Sequence, residues 1–79
     1  MSVRSYTARE AMDFGGRLAI SRQRARMSQE QVAVCIGTDR QIVSRLECGE
    51  RMPHSATLTR LCKALNVSAD YLLGLREEP

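Results

Sequence analysis

Apolar residues recur along the chain at intervals of three and four, and short polar segments with glycine, serine or threonine separate the groups. This spacing is typical of amphipathic helices that bury one face. No stretch alternates apolar and polar residues in the manner of a strand. The pattern predicts an all-α chain of five short helices.

The first two helices carry the same signal at their starts. Thr7 to Glu10 and Ser28 to Gln31 both have the spacing of a capping box, in which two side chains satisfy free amides of the first turn. The pair Gly15-Gly16 either kinks the first helix or delays its start to about Asp13. The second helix is about two turns long, because Gly37 ends it.

Caps and glycines also bound the last three helices. The pair Thr38-Asp39 offers an N-cap for a third helix that runs from about Arg40 to Cys48. Ser55 is expected to cap the fourth helix, and Asn66 suits its C-terminus. Ser68 caps a short last helix that a glycine ends.

The second and third helices form a pair with a defined geometry. A connection of a residue or two after Gly37 forces the third helix to turn sharply away, which is the sequence form of a helix-turn-helix. Ala33 is small enough to let the two helices approach closely. Apolar residues expected to lock the pair are Val32, Ile36, Val43 and Leu46.

The third helix has a polar face opposite its apolar positions. Because successive helical residues are about 100° apart, Gln41 and Arg45 point outward and Arg40 lies on one flank, whereas Glu47 points inward. In the major groove of DNA, Arg can bind guanine and Gln can bind adenine. The free amides at Ser28 to Gln31 suit a backbone phosphate. The alternatives for this face are base reading and simple solvation.

Composition narrows the functional classes. The 79 residues allow one domain, and the net charge of +3 favours an anionic partner. A chain this small buries only about 60% of its unfolded surface, which leaves dimerisation open. One histidine and no paired carboxylates, nucleophile motif or phosphate loop give no basis for an enzyme or a cofactor.

The three cysteines are far apart and unclustered, which argues against disulfides or a metal site and favours a reducing compartment. Cys35 and Cys62 are expected in or beside the core, and Cys48 on the outward face of the third helix. No apolar run approaches the roughly 20 residues that span a bilayer, and the first residues lack the apolar segment of a signal peptide. We predict a cytoplasmic protein with no membrane partner.

Four motifs follow one another between Arg17 and Leu75, namely "MSQEQVA", "IG", "IVSRLECGERMP" and "LCKALNVSADYLL". In this order and spacing they make the stretch resemble the Cro/C1-type (XRE family) helix-turn-helix domain of phage repressors and small bacterial regulators. The resemblance implies a compact five-helix, lambda-repressor-like fold. It also implies a DNA-binding protein, usually dimeric, with its third helix in the major groove.

The resemblance also assigns contacts to positions of this chain. Base contacts fall on Arg40, Gln41, Ser44 and Arg45. Phosphate contacts fall on Gln29, Thr38 and Arg51, the last of which lies in the loop after the third helix.

One structural pair follows from the same resemblance. In the family, an Arg late in the first helix pairs with a Glu near the end of the third, and the matching residues are Arg22 and Glu47. This pairing agrees with the inward direction of Glu47, since a buried carboxylate needs a partner. Two positions depart from the family pattern, Ile42 and the acidic Glu50 in the loop "GERMPH".

The predicted organisation is a flexible N-terminus over residues 1–6, a helix-turn-helix domain over 7–75 with the motif at 29–48, and a tail over 76–79. The segment "ADYLLGL" holds five apolar side chains, more than one short helix buries against a small domain. A dimer interface is therefore predicted at Tyr71, Leu72, Leu73 and Leu75.

The predicted function is a sequence-specific transcriptional regulator that binds a palindromic operator on double-stranded DNA as a homodimer, with repression as the simplest mechanism. Activation is an alternative, because restriction-modification controller proteins resemble this chain in size. A second alternative is the antitoxin of a toxin-antitoxin pair, with a toxin as protein partner. A third is a protein-interaction module with an idle helix-turn-helix.

Overall fold

The computed structural model describes residues 6–79, which form five α-helices and contain no strand. The helices are α1 (Ala8–Arg24), α2 (Gln29–Ile36), α3 (Arg40–Glu47), α4 (Ser55–Leu65) and α5 (Ala69–Leu72). The predicted all-α class is thus confirmed. The predicted flexible N-terminus covers residues 1–6, and residues 1–5 of it lie outside the described residues.

The first helix begins at the earlier of its two predicted starts. The Glu10 amide donates to Thr7 Oγ1 at 3.1 Å, and the Thr7 amide donates to Glu10 Oε1 at 2.8 Å. This reciprocal cap satisfies two amides that a helix otherwise leaves free. The pair Gly15-Gly16 lies well inside α1, so the delayed start at Asp13 is wrong.

The turn between α2 and α3 has the predicted glycine geometry. Ser28 and Gln31 form the second capping box, and Gly37 ends α2 with a φ of +75°. This left-handed conformation is nearly free of cost only for glycine. Two residues later, Asp39 Oδ1 accepts the Ile42 amide at 3.1 Å and starts α3. The reversal therefore takes only Gly37, Thr38 and Asp39.

The start of α4 differs from the prediction by one residue. His54 is the N-cap and its side chain makes no capping hydrogen bond, whereas Ser55 is already helical. The Leu58 amide donates to the His54 carbonyl at 2.9 Å, so the first turn closes one residue earlier than predicted. Asn66 adopts the left-handed conformation after α4, and Ser68 caps α5 as predicted.

One mainly aliphatic core joins all five helices. Each of its fully buried side chains contributes about 1.5 to 3 kcal/mol relative to exposure. Helix α3 packs against both α1 and α2, while α2 also packs against α4 and α5 closes the far side against α1 and α4. The largest fully buried side chains are Phe14, Leu18, Val32, Val43, Leu46, Leu61 and Leu72.

Burial corrects two predictions. Leu72 is 0% exposed and Tyr71 is 7% exposed, so both fill the core of their own chain and offer no surface to a partner. Within the predicted dimer interface, only Leu73 and Leu75 are exposed. The second correction concerns Cys35, which the sequence predicts in or beside the core. It is exposed, because the two-turn α2 buries a single stripe of residues and Cys35 lies next to that stripe.

Candidate nucleic-acid interface

Helix α3 separates its residues into an inner and an outer set. Val43 and Leu46 are fully buried and hold the helix on the core. Arg40, Gln41 and Arg45 are exposed, as the helical periodicity predicts, and Ser44 on their flank is half-buried. The outer side chains take no part in the core and are free to contact another molecule. Ile42 packs against the core cluster from the other flank, although it is only partly buried.

The end of α3 lies directly against α1. A Cβ atom added to Gly15 would come within 2.5 Å of the carbonyl oxygens of Leu46 and Glu47. One residue beyond the C-cap of α3, Gly49 adopts a φ of +79°, and a Cβ there would lie 2.8 Å from the Met12 Cα. Such distances require glycine, because a methyl group would overlap the facing backbone. Two glycines therefore fix the distance between α1 and the last turn of α3.

A charged network ties the same turn to the C-terminal end of α1. Arg22 donates to Glu47 through Nε to Oε2 at 2.7 Å and through Nη2 to Oε1 at 3.2 Å. The Glu47 side chain is 8% exposed and that of Arg22 is 16% exposed. Hydrogen bonding to Glu47 outweighs partial burial and raises the pKa of Arg22. Arg22 also donates to the Met27 carbonyl at 3.0 Å, which links α1 to the connection before α2.

Gln29 completes this network. Its Nε2 donates to Glu47 Oε1 at 3.0 Å, so the first residue of α2 is bonded to the last residue of α3. The resemblance assigned Gln29 to a phosphate, and its amide retains one further N–H and its oxygen for such a contact. Its position is therefore set by the same carboxylate that anchors α3.

Several arginines on or just after α3 take part in no ion pair among the described residues. Among the described residues, ion pairs join Arg9 to Asp13, Arg22 to Glu47 and Arg76 to Glu78. Arg40, Arg45 and the half-buried Arg51 therefore belong to no ion pair in this part of the chain. Thr38 is half-buried in the turn that precedes α3. Asp39 and Glu50 lie exposed in the same turns, so the surface of α3 and its flanking turns carries a small net positive charge, which is compatible with an anionic partner.

This arrangement of two short helices, with a buried inner face and a cationic outer face, agrees with the sequence family. The helix-turn-helix domain family matches the chain over residues 13–73. The chain belongs to this family. Its members are DNA-binding transcriptional regulators rather than enzymes.

Named helix-turn-helix relatives show the extent of the similarity. The HTH-type transcriptional regulator ImmR of Bacillus subtilis is 38% identical over 66 residues, which are 84% of this chain and 52% of that protein. The chain therefore spans about half the length of this relative.

Helix α3 is the second helix of the motif, for which the usual term is the recognition helix.

Solved helix-turn-helix structures match the fold closely. The restriction-modification controller protein C.AhdI from Aeromonas hydrophila is 31% identical with a TM-score of 0.77, over 82% of this chain and 94% of that chain. The P22 c2 repressor, solved in complex with a synthetic operator, is 30% identical with a TM-score of 0.72, over 75% and 89% of the respective chains. Together these relatives show a Cro/C1-type helix-turn-helix domain.

Two parts of the interface were not found by reading the sequence. Gly15 was interpreted only as a kink or a late start, although it shares the inner face of α1 with Ala11 and Leu18 at helical spacing. The bond from Gln29 to Glu47 joins residues 18 positions apart and has no local signal.

In residues 6–79, no helix combines the length and apolar character that crossing a bilayer requires.

Proposed function

We propose that this helix-turn-helix protein represses transcription as a homodimer on a palindromic operator. The observation that carries the proposal is the outer face of the recognition helix, where Arg40, Gln41 and Arg45 are exposed and take part in no ion pair among the described residues. If this face only contacted water, any polar residues would suit it. The position of this face on the second helix of the motif is what favours base reading.

In this proposal each recognition helix enters a major groove, and the two half-sites lie about 34 Å apart, one turn of DNA. Arg40 and Arg45 each bind guanine O6 and N7, and Gln41 binds adenine N6 and N7. Ser44 lies beside them and contacts a base or its sugar. Such contacts specify the sequence, and each good bidentate pair contributes about 1 to 3 kcal/mol of discrimination.

Phosphate contacts position the domain without reading bases. Gln29 uses its remaining amide hydrogen, and the free amides in the first turn of α2 add a positive dipole end. Thr38 lies just before the recognition helix, and Arg51 lies in the loop after it. Because Gln29 also binds Glu47, a phosphate held there is coupled to the orientation of the recognition helix.

The test begins with selection of bound sequences from a random DNA pool, followed by substitution of the proposed contacts. Arg45→Ala and Gln41→Ala are expected to relax the sequence preference. Arg51→Ala is expected to weaken binding to all sequences and to reduce the salt dependence, because it removes one phosphate contact. Arg60→Ala, which removes the same charge from the exposed face of α4, is the control and should change neither. Unchanged preference in both recognition-helix variants would refute the assignment.

Cysteine labelling offers an independent test of the docking face. Cys48 is exposed at the end of the recognition helix, and Cys35 is exposed in a groove beside α4. Operator DNA should slow the alkylation of Cys48 and leave that of Cys35 unchanged. Equal protection of both thiols, or protection of Cys35 alone, would contradict the proposed orientation.

Activation is the second candidate, because the match to C.AhdI covers 94% of that controller protein. Transcription in vitro from a promoter that carries the selected operator distinguishes the two functions. Repression predicts less transcript as protein is added, whereas activation predicts more. Binding of a toxin stays a prediction from the sequence, as does a cytoplasmic location.

A further inference from the structure

A cavity of about 210 Å³ lies where the end of α1 meets the turn between α4 and α5. The end of α1 contributes Ser21, Arg24 and Ala25 to its walls, and the turn contributes Leu65, Asn66 and Val67. Pro79 also lines it, and the Pro79 carbonyl accepts the Ser68 amide at 2.9 Å. Because a cavity of about 150 Å³ holds benzene, this one holds a molecule of roughly eight non-hydrogen atoms.

One wall of the cavity carries a buried hydroxyl group that has no partner. Ser21 is 3% exposed, and its Oγ forms no hydrogen bond with another described residue. Buried polar groups are nearly always hydrogen-bonded, since burial removes their bonds to water. A serine hydroxyl can both donate and accept. Ser21 therefore offers a ligand a hydrogen bond that breaks no other contact of the protein.

The positive charge at the cavity comes from Arg24. This side chain is exposed and, in residues 6–79, belongs to no ion pair. Of the neighbouring cations, Arg22 is bonded to Glu47, and Lys63 lines a separate groove between α2 and α4. A guanidinium group matches the geometry of a carboxylate, which it binds through two parallel N–H groups. Arg24 thus favours a ligand with a carboxylate.

Negative potential reaches the cavity from two sources. Helices α1 and α4 both end there, and the C-terminus of a helix carries about half a negative charge. The tail that leads to Pro79 is net acidic, because Arg76 offsets only one of Glu77 and Glu78. These groups repel a simple anion, whereas Arg24 repels a simple cation. A zwitterion is attracted by both.

The rest of the lining is apolar and held in place. Leu65 is 5% exposed within the core, and Val67 packs against the core cluster. Asn66 between them has a φ of +55°, and the Cys62 carbonyl accepts the amides of Asn66 and Val67. The two apolar side chains therefore keep a fixed position beside the charged groups. Such a surface suits a small aliphatic side chain.

We propose that this cavity binds a small aliphatic α-amino acid of about the size of valine. Its carboxylate pairs with Arg24, and its ammonium group donates to Ser21 Oγ and faces the two helix ends. Its side chain lies on Leu65 and Val67. The ligand thus satisfies the buried hydroxyl and the unpaired arginine together. None of these residues belongs to the face proposed to bind DNA, so the cavity can be occupied while the protein is on its operator.

The site lies next to the anchor of the recognition helix. Arg22, which directly follows Ser21, donates to Glu47 at the end of that helix and to the Met27 carbonyl. A ligand that orders the last turns of α1 also orders this arginine, so the recognition helix loses less freedom when it docks. The amino acid should therefore tighten operator binding. This step rests on the proposed function, whereas the binding site itself does not.

The first experiment titrates isotope-labelled protein with L-valine and follows the backbone amides by NMR. The largest shifts should fall at the end of α1 and in the turn between α4 and α5. Isovalerate lacks the ammonium group and valinamide lacks the carboxylate, so each should bind at least about tenfold more weakly. No saturable shift at these residues would overturn the site, and equal binding of all three compounds would overturn the zwitterion.

Two substitutions separate the proposed contacts from folding. Arg24→Gln should weaken L-valine binding at least about tenfold, whereas Arg60→Gln, which removes an exposed arginine from α4, should leave it unchanged. Ser21→Ala should weaken binding as well. It should also raise the midpoint of thermal unfolding by about 2 to 4 °C, because alanine favours the helix and no hydrogen bond is lost. A lower midpoint would show that the hydroxyl is already satisfied and would overturn the inference.

The effect on DNA is measured as operator affinity with and without L-valine. Wild-type protein should bind its operator at least about fivefold more tightly with the amino acid, and Ser21→Ala should show no change at the same concentration. Because coupling is reciprocal, operator DNA should tighten L-valine binding by the same factor. Valine binding without this effect would overturn the coupling. A protein that binds no operator would refute the proposed function, and the NMR titration would still decide the binding site.

Discussion

Gly15 and Gly16 are neighbours on α1, yet substitution of each by alanine should have opposite effects on stability. In the interior of a helix, alanine is favoured over glycine by about 0.8 to 1.0 kcal/mol. A Cβ atom at Gly16 has no heavy atom within 4 Å, so Gly16→Ala should stabilise the protein by roughly this amount.

At Gly15 the same gain is opposed by a steric clash. The added methyl group would lie 2.5 Å from two backbone carbonyl oxygens at the end of the recognition helix. These atoms belong to a helix and cannot move aside as a flexible side chain can. Overpacking of this kind costs about 1 to 3 kcal/mol, and contact with rigid backbone places it at the upper end. The net effect of Gly15→Ala should be a destabilisation of about 1 to 2 kcal/mol.

Thermal unfolding followed by circular dichroism measures both changes, with protein concentration held constant because association shifts the midpoint. At about 4 to 8 °C per kcal/mol for a domain of this size, the two variants should differ by roughly 10 °C or more. Operator affinity should fall only for Gly15→Ala, because the clash displaces the last turn of the recognition helix. Equal stabilisation by both alanines would show that α1 does not lie against that turn and would refute the reasoning.

Three further predictions concern the rest of the molecule. Glu47→Ala leaves a largely buried arginine unpaired, so it should lower the free energy of unfolding, measured with urea, by about 3 kcal/mol. Glu50→Ala removes an exposed carboxylate and should change that free energy by no more than about 0.5 kcal/mol. Equal effects of the two substitutions would contradict the network. Arg26→Gly should stabilise by about 0.5 to 1 kcal/mol in the same assay, because Arg26 has a φ of +58°; a loss of stability would show that its side chain matters more than its backbone. Burial raises the pKa of the Cys62 thiol, so less thiolate is present at neutral pH and Cys62 should be alkylated more slowly than Cys35; the opposite order would refute this.

The sequence predicted most of the local structure, because its signals lie within a few residues of the elements they control. Capping boxes at Thr7 and Ser28 and the glycine at position 37 each act on the backbone next to them, and all three behave as predicted. The start of α4 was misplaced because Ser55 is a good cap by composition, and nothing local shows that His54 already takes that position.

Burial was harder to predict, because it depends on which helices meet. The composition of "ADYLLGL" predicts excess apolar surface at Tyr71 and Leu72, but the core extends as far as α5 and buries both. Gly15 has its role only because the end of α3 crosses α1 at that residue. The proposed base contacts, in turn, depend on a docked DNA and remain predictions.

On the recognition helix, the residues that hold the fold differ from those proposed to contact DNA, and this affects how such regulators acquire new specificities. Val43, Leu46 and Glu47 are committed to the core and the charged network, whereas Arg40, Gln41 and Arg45 are exposed and belong to no ion pair among the described residues. Replacement of surface residues such as these usually changes stability by no more than about 0.5 kcal/mol. New operator preferences could therefore be introduced on this scaffold without loss of the fold, and several mutually independent regulators could be engineered from one chain.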